Sequence, residues 1–305
     1  MQDHGPQPTF AGGWGARRSR FRLMGEATIL LRGLSSSRDN AVTLRLAGLN
    51  VYPIKGARGI ALDNSEVDGF GLRHDRRWMV VNPSGEFLSQ RTHPRLALIA
   101  PAIQDGTLRV TAPEMPPLEL PLHPADAVRS RVAVWRDFCP ASWLGEEPAG
   151  WFSEFLDCAC TLVHMPDRVV RPADPAFAPA GTRVSFADGF PFLLISEESL
   201  ADLNRRLAAP LPMNRFRPNL VVAGGEAYAE DEWREITIGE IAMQVVKPCG
   251  RCVVTTTDQM TAERGKEPLR TLATYRKQGG EVMFGQNVVH QKQGQLRVGD
   301  QVTLR

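Results

Sequence analysis

Short runs of alternating hydrophobic and polar residues recur along most of the chain. The first, Val42-Thr43-Leu44-Arg45-Leu46, predicts a strand, and Leu49 to Lys55 continues as extended chain up to Gly56. Gly69 and Gly71 mark a turn, Arg76 to Val81 reads as a strand, and Asn82-Pro83-Ser84-Gly85 as a hairpin-type turn with Phe87 to Gln90 returning. Leu96 to Ile99, Thr107 to Val110 and Val132 to Trp135 follow at the same short spacing, which predicts a small β-rich domain. The proline-laden stretch from Ala112 to Pro124 reads as a surface loop, and Trp151 to Leu156 as a short amphipathic helix.

The Pro- and Ala-rich run from Pro166 to Pro179 reads as a linker into a second half, which opens with a buried strand, Phe190 to Ile195. Ser196 is placed to cap a helix whose first residues, Glu197 and Glu198, suit the positive end of the helix dipole. Leu200, Leu203 and Leu207 share one face of it, and Pro210 stops it. Asn219 to Val222 and Glu235 to Val246 predict strands, the latter turning at Gly239. A second helix is expected from Glu267-Pro268 to about Arg276, and the end, Gln295 to Leu304, is β-like around Gly299-Asp300.

At 305 residues and 43% hydrophobic, the chain has room for two domains and a substantial core. A net charge of +2 is too mild to make nucleic acid or an anionic membrane an obligatory partner. No apolar run approaches the roughly 20 residues that span a bilayer. The five cysteines (Cys139, Cys158, Cys160, Cys249, Cys252) form an odd set without a secretory framework, which predicts a reducing compartment and a cytoplasmic protein. Residues 1–47 read as a disordered or non-native tail. Their arginines and serines, with few acids, also match the composition of a transit segment.

The chemistry concentrates in Lys247-Pro248-Cys249-Gly250-Arg251-Cys252, followed by the β-branched run Val253 to Thr257, which reads as a strand. Arg251 between the two thiols favours a thiolate nearby, the form that binds metals and attacks electrophiles. A zinc site needs two further ligands, and Cys158 with Cys160 is the other close pair. A thioredoxin-like pair opens a helix, whereas this one is expected to open a strand. Two partly buried structural cysteines account for the same spacing. Walker A, dinucleotide-binding glycine, zinc-protease and nucleophile-elbow motifs are all missing from the sequence.

The residues around this motif change the balance. Pro248 to Thr256, with Arg215-Phe216-Arg217-Pro218-Asn219, Lys266-Glu267-Pro268-Leu269, Phe284-Gly285-Gln286-Asn287 and Val298-Gly299-Asp300, resembles the MOSC domain shared with the C-termini of molybdenum cofactor sulfurases. Val51 to Lys55, Asp75 to Trp78 and Ser196 to Asn204 resemble the branch containing the mitochondrial amidoxime-reducing component and its bacterial relatives. The resemblance spans about residues 48–305. It implies a β-rich α+β chain: an N-terminal β-barrel-like domain at 48–165, then a MOSC-type β-barrel with a few helices at 166–305.

The resemblance also implies molybdenum cofactor (Mo-molybdopterin), with Cys252 as the protein ligand to the metal and Cys249 beside it. Lys55, Arg76, Arg217 and Asn219 become cofactor contacts, and Arg251 either tunes the ligand or holds the cofactor phosphate. Asp258 either orients a substrate or caps a turn. The implied reaction is two-electron reduction of N-hydroxylated small molecules (amidoximes, hydroxylamines, N-hydroxylated base analogues), a detoxification in which oxygen is taken from N–OH at the Cys-ligated molybdenum. Electrons come from a separate donor, a flavin reductase with an iron–sulfur or haem protein, because no further cluster-binding set of cysteines follows the motif. A sulfur carrier with a persulfide on Cys252, and a cofactor carrier without turnover, are the alternatives. Two departures from the family pattern stand out. Gly56 follows Lys55 where relatives have Ser, and Gly189-Phe190-Pro191-Phe192 replaces Thr-Ser-Pro-Phe, making the pocket more apolar.

Overall fold

The largest sheet of the computed structural model, which describes residues 43–305 apart from the Arg129 side chain, draws strands from both ends of the chain. Its order is Val302–Leu304, Glu235–Ile238, Ile241–Arg251, Glu281–His290, Phe192–Ser196, Leu220–Ala223, Arg45–Val51, Ile60–Leu62. Neighbours are antiparallel except Phe192–Ser196 and Leu220–Ala223, which run parallel and are joined through the helix Glu197–Arg206. Leu46 and Leu49 therefore pack in one core with Phe192, Leu194, Leu220 and Met243, all fully buried. The strand starts at Arg45, inside the stretch expected to be a tail; the rest of that expectation, up to residue 42, lies outside the described residues.

A second sheet runs Trp78–Val81, Thr161–His164, Asp137–Trp143, Val128–Val134. A third joins Gly294–Arg297 to Asn64–Asp68 and Gly71–Leu72, and a fourth is the meander Ala100–Gln104, Thr107–Thr111, Leu118–Pro121. Trp78, Leu96, Leu108, Phe152 and Phe155 fill the core beneath the meander. Burying each such side chain is worth about 1.5–3 kcal/mol. The chain is β-rich with a few short helices, as its hydrophobic pattern predicts.

Several local expectations are corrected. Leu118–Pro121 is a strand inside the expected loop, since Leu118 and Leu120 are buried while Glu119 faces out, and Pro121 sits at a sheet edge where a missing N–H is tolerated. Residues from Pro94 to Leu98 form a 3₁₀ helix instead of a strand, with proline in its first turn. The return after Asn82 to Gly85 shrinks to a bridge between Val81 and Phe87. The helix near Trp151 begins earlier, at Glu146, and the helix after Pro268 is a single turn, Leu269–Leu272. Ser196 caps its helix as expected, accepting from the Ser199 backbone N–H at 3.1 Å.

The stretch from Pro166 to Pro179 has no regular structure, yet Val169, Arg171, Ala173 and Ala178 within it are buried. Arg171 explains this. Its guanidinium donates to the carbonyls of Ser185 (2.8 Å), Ala187 (2.6 Å) and Asp188 (3.1 Å) and to the Asp137 carboxylate (2.9 Å). It thus pins the 185–188 loop that leads into Phe192–Ser196.

Candidate functional site

The long strand Ile241–Arg251 reaches the cysteine motif through two register shifts against Glu281–His290, at Val245/Lys247 and Pro248/Gly250. Such irregularities bend a strand and re-aim its side chains, and proline is tolerated where the ladder is broken. Cys252 lies just past the strand in extended conformation (φ −119°, ψ 179°) and caps a 3₁₀ turn, Val253–Thr256. The cysteine pair thus closes a strand; it does not open one.

The turn replaces the strand expected over Val253 to Thr257, and the threonines are the reason. Thr255 donates from N (3.1 Å) and Oγ1 (3.0 Å) to the Cys252 carbonyl, and Thr256 Oγ1 donates to the Val253 carbonyl at 2.8 Å. Hydroxyls that bond back three residues offer the backbone an alternative to the ladder. Buried Arg215 completes the turn, its Nε donating to the Thr255 carbonyl (3.0 Å) and its Nη2 to that of Thr256 (2.9 Å).

Cys252 faces an open cavity of about 960 Å³ counting its mouth, which Lys55, Arg76, Arg217, Asn219, Arg251 and Cys249 also line. Five of the charged residues in this lining are cationic (Lys55, Arg76, Arg91, Arg217, Arg251) and one, Asp188, is anionic. The cations differ in what offsets them. Lys55 Nζ is paired with Asp188 Oδ1 at 2.5 Å and donates to the Phe186 carbonyl at 2.8 Å. Burial lowers the Lys55 pKa, and the Asp188 carboxylate opposes that shift. Arg76 donates to Asp75 Oδ2 (2.5 Å) and to Asn219 Oδ1 (2.9 Å).

Arg217 and Arg251 meet no carboxylate among the described residues. Arg217 donates to the Ala57 carbonyl at 2.6 Å, and burial lowers its pKa to about 10, still far above neutrality. Arg251 donates to the Phe216 carbonyl (2.5 Å) and to Cys249 Sγ (3.1 Å), while its buried Nε has no partner among the described residues. The guanidinium placed between the thiols in sequence therefore sits on Cys249. Two guanidinium groups out of contact with any carboxylate, an unpartnered N–H donor and a free thiol are the donor types that an anionic group with a soft metal centre would need.

Asn219 is the most committed of the expected contacts. It is 1% exposed; its Oδ1 accepts from Arg76 and from the Leu193 backbone N–H (3.3 Å), and its Nδ2 donates to the Asn50 carbonyl (3.1 Å). It orients Arg76 and ties Arg45–Val51 to Phe192–Ser196. Asp258 is outside the cavity lining. Its Oδ1 accepts from the backbone N–H groups of Met260 (2.8 Å) and Thr261 (3.1 Å), and its Oδ2 from Arg215 (3.1 Å). Those backbone donors, Met260 first, hold its carboxyl below the usual range. Of its two expected roles, turn capping is the one the contacts supply.

Gly56, the departure beside Lys55, has φ +86°, a backbone region that glycine adopts freely and other residues rarely. The zinc alternative finds no second ligand pair, since Cys160 is buried in the meander core with Cys158 packed against it. Among the described residues no group of three or more His, Cys, Asp or Glu side chains gathers to hold a metal ion.

Sequence reasoning gave no role to Tyr52, Arg171, Asp188 or Arg215. Three of them act on a site residue: Tyr52 under Arg76 and Arg217, Asp188 on Lys55, Arg215 beneath the Cys252 turn. Arg171 pins the loop that carries Asp188. Arg215 stood inside a quoted motif; Asp188 and Arg171 had no periodic or spacing signal.

The sequence matches the MOSC N-terminal beta barrel domain over residues 43–159 and the MOSC domain over residues 181–303. Mitochondrial amidoxime-reducing component 1 of Mus musculus is 37% identical over 284 residues, covering 85% of this chain and 82% of the mouse protein. The Homo sapiens protein of that name is 36% identical, at 85% and 82% coverage. Molybdenum cofactor sulfurase of Solanum lycopersicum is 33% identical over 84% of this chain but only 35% of its own length. The two domain models together cover most of the chain, and the two amidoxime-reducing components match it over more than four fifths of both lengths. The chain belongs to the MOSC family, as a member with an N-terminal MOSC β-barrel alongside the mitochondrial amidoxime-reducing components.

Proposed function

We propose that this chain is a molybdenum-cofactor-dependent reductase of N-hydroxylated compounds. The observation that carries the reading is the convergence, in one cavity, of the Cys252 thiol with the Arg217 and Arg251 guanidinium groups, neither of which touches a carboxylate among the described residues, in a chain 36–37% identical to amidoxime-reducing components. When bound, the cofactor supplies the two-electron chemistry that removes the N–OH oxygen.

The chain's own residues do the rest. Cys252 is the thiolate ligand, held at the end of its strand by the Thr255 and Arg215 hydrogen bonds. Arg217 and Arg251 grip the cofactor's phosphate, for which a planar guanidinium is well suited. Arg76 is aimed by Asp75 and Asn219, and Lys55 adds charge from the side of Phe186 and Asp188. Phe87, Phe190 and Phe192 in the lining exclude water from one side. Asp258 stays in the scaffold.

The relatives named after the amidoxime reaction are called components, and we read this chain likewise as needing a separate electron donor. Among the described residues no helix is long and apolar enough to cross a membrane. The relatives' mitochondrial names leave the expected cytoplasmic address as one of two reducing compartments to test.

Molybdenum-loaded protein supplied with a chemical reductant is expected to convert benzamidoxime to benzamidine, consuming two electrons and two protons per amidine and releasing water. Loaded protein that forms no amidine would leave the carrier reading in its place, and sulfane sulfur on Cys252 without molybdenum would favour the sulfur carrier.

A further inference from the structure

Trp135 occupies a position that its side chain makes awkward. The strands Val128–Val134 and Asp137–Trp143 are joined by a two-residue turn, with Asp137 paired to Val134, and Trp135 is the first turn residue. Its φ is +57°, in the left-handed region that glycine, asparagine or aspartate normally fill in such turns. A bulky residue there is an outlier, and an outlier of this kind points to a use for the side chain.

The indole is also 44% exposed, which leaves part of it open to a ligand. It is nonetheless held in place. Its Nε1 donates to Asp188 Oδ1 at 3.0 Å, its ring meets Phe87 edge-on with centroids 4.8 Å apart, and the Arg91 guanidinium lies 4.2 Å from its centroid. Trp135, Phe87 and Phe190 all line the cavity that Cys252 faces. Asp188, which anchors the indole, keeps its second oxygen without a partner among the described residues, and its side chain is 72% exposed.

We infer that Trp135 is a specificity-determining residue, an indole wall at the cavity mouth against which the flat body of a substrate packs. Planar aromatic N-hydroxylated amidines are then taken in preference to small aliphatic ones, and the free Asp188 oxygen is placed to accept from an amidine N–H. The assignment concerns this chain's own mouth residues and rests on the reductase reading.

The test compares loaded wild type, Trp135→Gly and Trp135→Phe on benzamidoxime and acetamidoxime, by turnover with a chemical reductant and by calorimetric binding without one. Glycine suits the turn, so the melting temperature of Trp135→Gly is expected to stay at or near that of wild type. The expected result is a KM and Kd for benzamidoxime raised about tenfold in Trp135→Gly, the scale of one lost aromatic contact plus its buried area. The kcat and both acetamidoxime constants should stay unchanged, and Trp135→Phe should recover most of the loss. Equal shifts for both substrates, or none, overturn the assignment. If wild type turns over neither compound, the reductase reading fails, and the binding comparison alone still decides whether Trp135 selects aromatic bodies.

Discussion

Two guanidinium groups share the ring of Tyr52, Arg76 at 4.3 Å from its centroid and Arg217 at 4.4 Å. The aromatic face and the Asp75 carboxylate lower the repulsion between these cations, so that both can stand at one cavity wall. Tyr52 itself is 3% exposed, its hydroxyl donates to the Pro218 carbonyl at 3.1 Å, and burial pushes its pKa up to about 12, against the pull of the guanidiniums. A phenol whose folded pKa is raised contributes stability that is complete below its unfolded value near 10 and lost as pH rises through 12. Stability is therefore expected to fall by roughly 2–3 kcal/mol over that window on account of Tyr52. Denaturant midpoints measured at pH 9 and 11.5 should show Tyr52→Phe with a correspondingly smaller alkaline loss than wild type; an equal loss would contradict the shift. Lys55, Arg76, Arg217, Arg251 and Cys252 line one cavity, and what pointed to the first three in the sequence was the family resemblance of their motifs, since a lone Lys or Arg otherwise reads as a solvated charge. Tyr52 was not legible, since within Val51-Tyr52-Pro53 it reads as ordinary core, and only the fold brings Arg217 onto its ring.

The element that matters most is the 3₁₀ turn Val253–Thr256, because it fixes where Cys252 ends its strand. A β-branched run reads as a strand from propensity alone, and the sequence pattern could not reveal that Arg215, some forty residues upstream, takes the carbonyls a strand would have paired. Removing Arg215 leaves the Thr255 carbonyl unsatisfied, at about 1–3 kcal/mol, while that of Thr256 keeps the Gly265 N–H at 3.1 Å. Arg215→Met is accordingly expected to lower stability by roughly 1–3 kcal/mol and to reduce molybdenum retention, measured by denaturant unfolding and metal analysis of the same preparation. Full metal content at wild-type stability would show that the turn does not depend on Arg215. Helix caps and hairpin turns were easier to read, since Ser196 and Asn82 to Gly85 act through neighbours in sequence. Strands such as Glu281–His290, whose partners are distant in the chain, were not.

For the whole molecule, the cavity belongs to no single stretch of sequence. Lys55 and Arg76 come from the first quarter, Asp188 and Phe190 from the irregular middle, and Arg217, Arg251 and Cys252 from the second half. What holds them together is a sheet in which Arg45–Val51 lies between Leu220–Ala223 and Ile60–Leu62, and a mutual amide pair, Gln90 with Gln259 at 3.1 Å, that ties the lining residue Gln90 to the segment just after the Cys252 turn. On the proposed reading this assembly is a site for one large anionic group held from several directions, with a single thiolate for its metal. Metal analysis of protein from a host that makes molybdenum cofactor, wild type against Cys252→Ser, tests that most directly. About one molybdenum per chain in wild type, as a one-thiolate site requires, and little or none in the variant at unchanged melting temperature, is the predicted result. Wild-type protein without molybdenum, or a variant that keeps it in full, would contradict the account.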